Sequence, residues 1–266
     1  MDSNFILLLS DLPNGSNIAI VAMMGSFCPP TKAHIQCFEE GRRALMSNAA
    51  NLVFQQVLGL AAFNDDDTLS AKLTPIGEQY IPWKDRATLM NHAATELPWL
   101  KISWSIRYDI EVLRWYFPHL NFFQYQLNGA DDVVNKQKWL LAGYYNRFIT
   151  IGRPGYTELV QEACAQRVRN ANLDPDHFIL GREVELSMLS STVARRALRA
   201  IDRHVLATCL HQSVCEWCLE NNACAFIGDL DLSRCRICAI EASVCALKFV
   251  DGVCYFCYPC NVGDTT

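Results

Sequence analysis

The sequence predicts an α/β protein built on a doubly wound, all-parallel sheet, and three observations lead there. Short uncharged runs such as Asn17 to Met23 alternate along the chain with segments whose apolar residues recur at helical spacing. The runs lack the in–out alternation of a half-exposed strand, so they suit strands buried on both faces, as in parallel sheets. Three of them close in a glycine followed by polar residues: Gly25-Ser26, Gly129-Ala130-Asp131 and Gly152-Arg153. Open parallel sheets bind their ligands beyond such strand ends.

Taken in order, residues 1–16 read as a leader ending in the turn-like Pro13-Asn14-Gly15. Its apolar Phe5 to Leu9 is too short for a signal peptide or a membrane span. The first strand runs into Gly25, and a helix begins between Pro30 and His34, carried by Ile35, Phe38 and Leu45. A second strand lies within 52–63, and 64–80 reads as a long loop. A helix follows from Trp83 to Glu96, behind Pro82, then a strand from Leu100 to Trp104 and a helix from Ile106 to Phe117. Asn121 to Leu127, Arg147 to Ile151 and His177 to Leu180 complete the strands. Helices separate them at Val133 to Ala142 and Glu158 to Asn170, and two more follow, from Ser190 to Ala200 and from Ser213 to Asn221. The main domain is thus expected at 17–226, with a cysteine-rich tail at 227–266.

A chain of 266 residues is long enough for one large α/β domain with an appendage. A net charge of −5 argues against a broad nucleic-acid-binding surface but allows a local basic pocket for phosphates. No membrane segment is expected, and the protein is placed inside the cell, in cytoplasm or nucleus. Ten of the thirteen cysteines lie between Cys209 and Cys260. In an intracellular chain such crowding points to metal before disulfides. Cys235-x-x-Cys238, fifteen residues, then Cys254-x-x-Cys257 has the spacing of a zinc ribbon, with Cys245 and Cys260 as spare ligands. Four thiolates on Zn²⁺ would fold forty residues that have little core of their own.

Two stretches carry the chemistry. Thr31-Lys32-Ala33-His34 opens a helix directly after the first strand and its glycine turn. That geometry points backbone N–H groups and an imidazole at an anion, and the imidazole's hydrogen bond strengthens as charge builds in a transition state. Ser190-Ser191-Thr192 opens a second helix, with Arg195 one turn on. Hydroxyls and free N–H groups there can hold a phosphate that the guanidinium pairs bidentately.

Gly25-Ser26-Phe27-x-Pro29-Pro30-Thr31-x-x-His34, taken with Leu189-Ser190-Ser191-Thr192-x-x-Arg195, resembles the nicotinamide/nicotinate mononucleotide adenylyltransferase family of the nucleotidyltransferase superfamily. Further pieces agree in order: Thr74-Pro75-x-x-x-x-Tyr80, Arg86, Gly129-Ala130-Asp131 with Trp139 after it, Gly152-Arg153-Pro154-Gly155, and the stretch from Val214 to Phe226. The resemblance covers Asn17 to Phe226 and implies a Rossmann-like nucleotidyltransferase fold, often oligomeric. It implies transfer of AMP from ATP to a pyridine mononucleotide, with Mg²⁺ accompanying the ATP. His34 and Arg195 would be catalytic. Gly25, Ser26, Phe27, Thr31, Gly129, Asp131, Ser191 and Thr192 would bind ATP. Lys84, Trp104, Trp139 and Arg153 would bind the pyridine nucleotide, the two tryptophans sandwiching its ring. Another phosphorylated acceptor, or a non-catalytic nucleotide-binding protein, is the alternative. Three positions depart from the family pattern: Cys28 stands where the family usually has Asn or Asp, Leu189 replaces a usual isoleucine, and Pro82 stands where the family has a phosphate-binding lysine, so that Lys84 is the nearest stand-in. A turn held differently around Cys28, and a site sensitive to oxidation there, are the corresponding expectations.

Overall fold

The computed structural model describes residues 3–47, 52–142, 147–183, 189–221 and 223, together with the backbone of 249–250 and 253–254. Six strands form one all-parallel sheet in the order β3-β2-β1-β4-β5-β6. They are β1 (Asn17–Gly25), β2 (Gln56–Phe63), β3 (Leu100–Ser103), β4 (Asn121–Gly129), β5 (Arg147–Gly152) and β6 (Phe178–Glu183). The architecture is α/β and Rossmann-like, and each strand overlaps a segment expected to form one.

The central strand explains why its sequence is apolar throughout. Ala19 and Val21 pack into one core, while Ile18, Ile20 and Ala22 pack into another. Successive side chains point to opposite faces, so burial on both faces leaves no polar position. The first core is covered by α2 (Lys32–Met46), α4 (Trp83–Ala93), α8 (Ser191–Ala200), α9 (Arg203–Cys209) and α10 (Gln212–Glu220). The second is covered by α1 (Ser3–Leu9) and α5 (Ile106–Tyr116). α6 (Ala130–Lys136) and α7 (Thr157–Ala171) enclose a smaller cluster around Val133 and Val160.

Four elements differ from expectation. The helix expected from Val133 to Ala142 is instead α6, which ends at a left-handed Gln137, followed by a 3₁₀ turn at Lys138–Leu141. Within the stretch read as a leader, Ser3–Leu9 is a helix whose Phe5 and Leu9, four residues apart, are buried in the second core. The long loop over 64–80 contains α3 (Asp66–Leu73) and a 3₁₀ turn at Thr74–Ile76. Its acidic start is a helix signal: the Asp65 carboxylate caps Thr68 N–H at 2.6 Å, Asp66 and Asp67 occupy the first turn and Lys72 the last. The short helix α9 was not expected; Asp202 caps it by accepting from Val205 N–H.

Strand order reverses at β1, which has β2 on one side and β4 on the other. The crevice beyond the ends of β1 and β4 is therefore the topological switch point of the sheet. The two tail strands, Phe249–Val250 and Val253–Cys254, pair antiparallel. Cys235, Cys238, Cys257 and the side chain of Cys254 lie outside the described residues. No helix among the described residues is long and apolar enough to cross a membrane.

Candidate functional site

The switch point is built from the loop after β1. Phe27 has φ of 44°, in the left-handed region, and its ring folds back over Gly25. A Cβ on Gly25 would come within 3.0 Å of Phe27 Cζ, so glycine is what lets this ring lie there. Thr31 then caps α2. His34 sits at the third helical position and accepts the Thr31 backbone N–H through Nδ1 at 2.9 Å. This is the geometry of a capping box, with imidazole in place of the usual glutamate or glutamine.

That bond settles the tautomer. An Nδ1 that accepts from an amide carries no proton, so the neutral ring keeps its proton on Nε2 and can donate from there. The Thr31 hydroxyl also lies 2.9 Å from Nδ1. Burial, and secondarily the Arg153 guanidinium, push the His34 pKa down to about 4. At neutral pH the site thus presents an uncharged N–H donor near the Arg153 guanidinium.

Beyond β4 and β5 the chain supplies a charge pair. Arg153 Nη1 donates to Asp131 Oδ2 at 2.8 Å, with both side chains partly exposed. Gly129 leaves room for it, since a Cβ there would fall 2.8 Å from Asp131 Oδ1. Cys37 beneath this pair is buried, and burial pushes its thiol up to about 12, which keeps it protonated and inert.

The N-terminus of α8 is fastened to the β1 loop. Ser190 caps it by accepting from Val193 N–H at 3.2 Å, and Ser191 Oγ donates to the Pro29 carbonyl at 3.0 Å. Thr192 is exposed beside it. Arg195 is placed otherwise than expected. Its Nε donates to Glu78 Oε2 at 2.5 Å, Nη1 to the Cys28 carbonyl at 3.0 Å and Nη2 to Thr192 Oγ1 at 3.3 Å. The side chain is buried rather than presented to an open anion site, because Glu78 offers a nearby buried carboxylate that also takes Arg199 Nη1 at 2.7 Å.

Cys28 is fully buried, and its Sγ accepts the Ile81 N–H at 3.3 Å. The thiol thus ties the β1 loop to the loop that precedes α4. Arg86, also fully buried, clamps the same loops: it donates to the carbonyls of Ile81, Ser26 and Asn64 and to Asp66 Oδ1 at 2.6 Å.

The two tryptophans expected to sandwich a ring each have a protein partner of their own. Trp104 lies in the loop after β3, and Trp139 in the 3₁₀ turn Lys138–Leu141 that follows α6. Trp139 packs against the cluster of Ala130, Val133 and Val160. Trp104 stacks on Trp83, with ring centroids 3.4 Å apart and an angle of 18° between planes. Lys84 is exposed at the start of α4.

His34, Thr31, Ser26, Phe27, Asp131, Arg153, Ser191 and Thr192 thus gather around the strand ends, while Trp139 serves packing. Glu78, Asn64 and Trp83 belong to the site without having been expected there. An apolar cavity of about 390 Å³ lies elsewhere, under α7 against β5 and β6, lined by Val160, Cys164 and Phe178 among others. It holds none of the polar groups just described. Among the described residues, no cluster of three or more His, Cys, Asp or Glu side chains is arranged to hold a metal ion. A scan against protein-family models finds none that matches the chain, and a search of curated proteins finds no match either.

Proposed function

We propose that this chain is an adenylyltransferase that moves AMP from ATP to nicotinamide or nicotinate mononucleotide, releasing pyrophosphate and forming NAD or its deamido form. The observation that carries the reading is the joining of two helix N-termini at the switch point. α2 brings a neutral His34 with a free Nε2–H, and α8 brings Ser191 and Thr192, tied to the β1 loop through Ser191 and Arg195. Helix N-termini attract phosphates through unpaired N–H groups and the helix dipole.

In this reading an oxygen of the mononucleotide 5′-phosphate attacks the α-phosphorus of ATP, and the bond from that phosphorus to the β-bridging oxygen breaks. Pyrophosphate leaves with the electron pair. Little covalent work falls to the protein; it aligns two polyanions and stabilises charge on the α-phosphoryl group. His34 Nε2–H donates to that group, and its neutral state spares the donor any change of protonation. The N–H groups of Ser191 and Thr192 hold the triphosphate. Asp131 accepts from ribose hydroxyls, and Trp104 stacks the pyridine ring. Mg²⁺ arriving with ATP would supply charge neutralisation at the phosphates.

Incubation with ATP, Mg²⁺ and either mononucleotide tests the reading, with NAD or its deamido form and pyrophosphate as the expected products. Absence of product with both acceptors would refute it. The engagement of Arg195 by Glu78 favours one competitor, a non-catalytic nucleotide-binding protein, which the same incubation separates as binding without turnover.

A further inference from the structure

The outer edge of the site is aromatic. Trp104 is 80% exposed although one face of its indole lies flat on Trp83, so its opposite face is open to solvent. Trp83 is held from several directions. Its backbone N–H donates to Asp66 Oδ2 at 3.1 Å, and the other oxygen of Asp66 is held by Arg86. Its ring meets Phe63 edge-on at 5.6 Å. Phe63 in turn meets Phe27 at 5.1 Å, and Phe27 meets the His34 imidazole at 4.8 Å. An unbroken run of ring contacts therefore links the exposed indole to the proposed catalytic group.

We infer that Trp83 is a positioning residue that holds Trp104 as a one-sided stacking platform for the flat ring of the acceptor nucleotide; this rests on the function proposed above. An indole on a short loop past an edge strand would otherwise sample several rotamers, and a ligand would have to order it. Trp83 orders it beforehand. Because Trp83 fills the inner face, a ligand ring adds to the outer face without breaking an existing stack. The result is a column of three flat rings.

The test uses the whole chain and nicotinamide mononucleotide alone, so that it is independent of turnover. Calorimetry measures Kd for wild type, Trp83→Leu, Trp83→Phe and Trp104→Leu, with ATP as the control ligand. Trp83→Leu and Trp104→Leu should each raise Kd for the mononucleotide about three- to tenfold, the size of one aromatic stacking interaction. Kd for ATP should stay in place, and Trp83→Phe should restore part of the loss. Circular dichroism supplies the second readout, because two stacked indoles give an exciton couplet. The couplet should vanish in both leucine variants and persist when mononucleotide is added to wild type. An unchanged Kd in Trp83→Leu overturns the inference, as does loss of the couplet on binding, which would mean that the ring inserts between the indoles. Trp104 lies on the surface, so Trp104→Leu keeps the platform testable if Trp83→Leu folds poorly. Wild type that binds no mononucleotide at all would instead sink the proposed function.

Discussion

Acidification from pH 7.5 to 5 is expected to destabilise this protein through His34, and His34→Gln is expected to abolish that part of the loss. In the folded chain Nδ1 accepts the Thr31 N–H, so adding a proton there would set two donors against each other. Burial opposes the charge further, and Arg153 adds to it, which together place the pKa at about 4 against an ordinary 6.5. The folded value is the depressed one, so between these two values the unfolded chain binds more protons. Stability therefore rises with pH across the window and falls as pH drops from 6.5 towards 4. At pH 5 the linked loss is about 2 kcal/mol relative to pH 7.5. The structure's lowered carboxylates, Glu78 among them, titrate below the ordinary carboxylate value and so contribute little above pH 5.

Glutamine suits the test because it is the regular partner at this position of a capping box and can accept the Thr31 N–H without titrating. Urea denaturation of both proteins at pH 7.5 and pH 5 measures the effect. Wild type should lose about 2 kcal/mol more than the variant between the two conditions. The other histidines, including His211 with its own lowered pKa, are present in both proteins and cancel. Equal losses would refute the burial of a neutral His34 and, with it, the assigned tautomer. On the proposed function the same variant should also lose turnover, since the amide lacks the Nε2–H donor geometry.

Arg86→Met should destabilise by about 3 kcal/mol or more in urea denaturation, because three carbonyls and Asp66 lose their donor in the interior. Glu78→Gln should cost a similar amount, about 3 kcal/mol, by leaving Arg195 and Arg199 without a buried counter-charge; a cost under about 1 kcal/mol would show the pair to be solvated. Cys235, Cys238, Cys254 and Cys257 should bring one zinc ion per chain, and metal analysis without stoichiometric zinc would reject the ribbon.

What could be read from the sequence was what is local. The strands were legible because burial on both faces of the sheet leaves uncharged runs, and few other elements produce those. The starts of α2 and α8 were legible because caps lie within three residues of what they cap. α3 was missed because its three aspartates look like a polar break, although Asp65 is a cap and the next two complement the helix dipole. Glu78 was invisible for a different reason: its partner Arg195 is 117 residues away, and nothing in either local pattern announces the other. Trp83 was read as the start of a helix, which it is; its stacking on Trp104 depends on how the ends of β2 and β3 sit side by side. The ligand role of Trp139 comes from resemblance alone, and its packing against the small cluster under α7 depends on contacts that no local pattern announces.

On the proposed function, the ion pairs also decide which arginine can exchange partners with an arriving phosphate. Arg153 and Asp131 are about 30% exposed, so water can replace either partner, and separating them costs about 1 kcal/mol or less. Arg195 and Glu78 are each 7% exposed, and pulling them apart leaves a buried carboxylate with Arg199 alone, at about 3 to 5 kcal/mol. One charge-assisted hydrogen bond to phosphate returns roughly 1.5 to 3 kcal/mol, enough for the first exchange and too little for the second. The mobile cation of this site is therefore Arg153. Arg195 works in place, fixing Thr192 and the Cys28 carbonyl so that the N-terminus of α8 stays over the β1 loop.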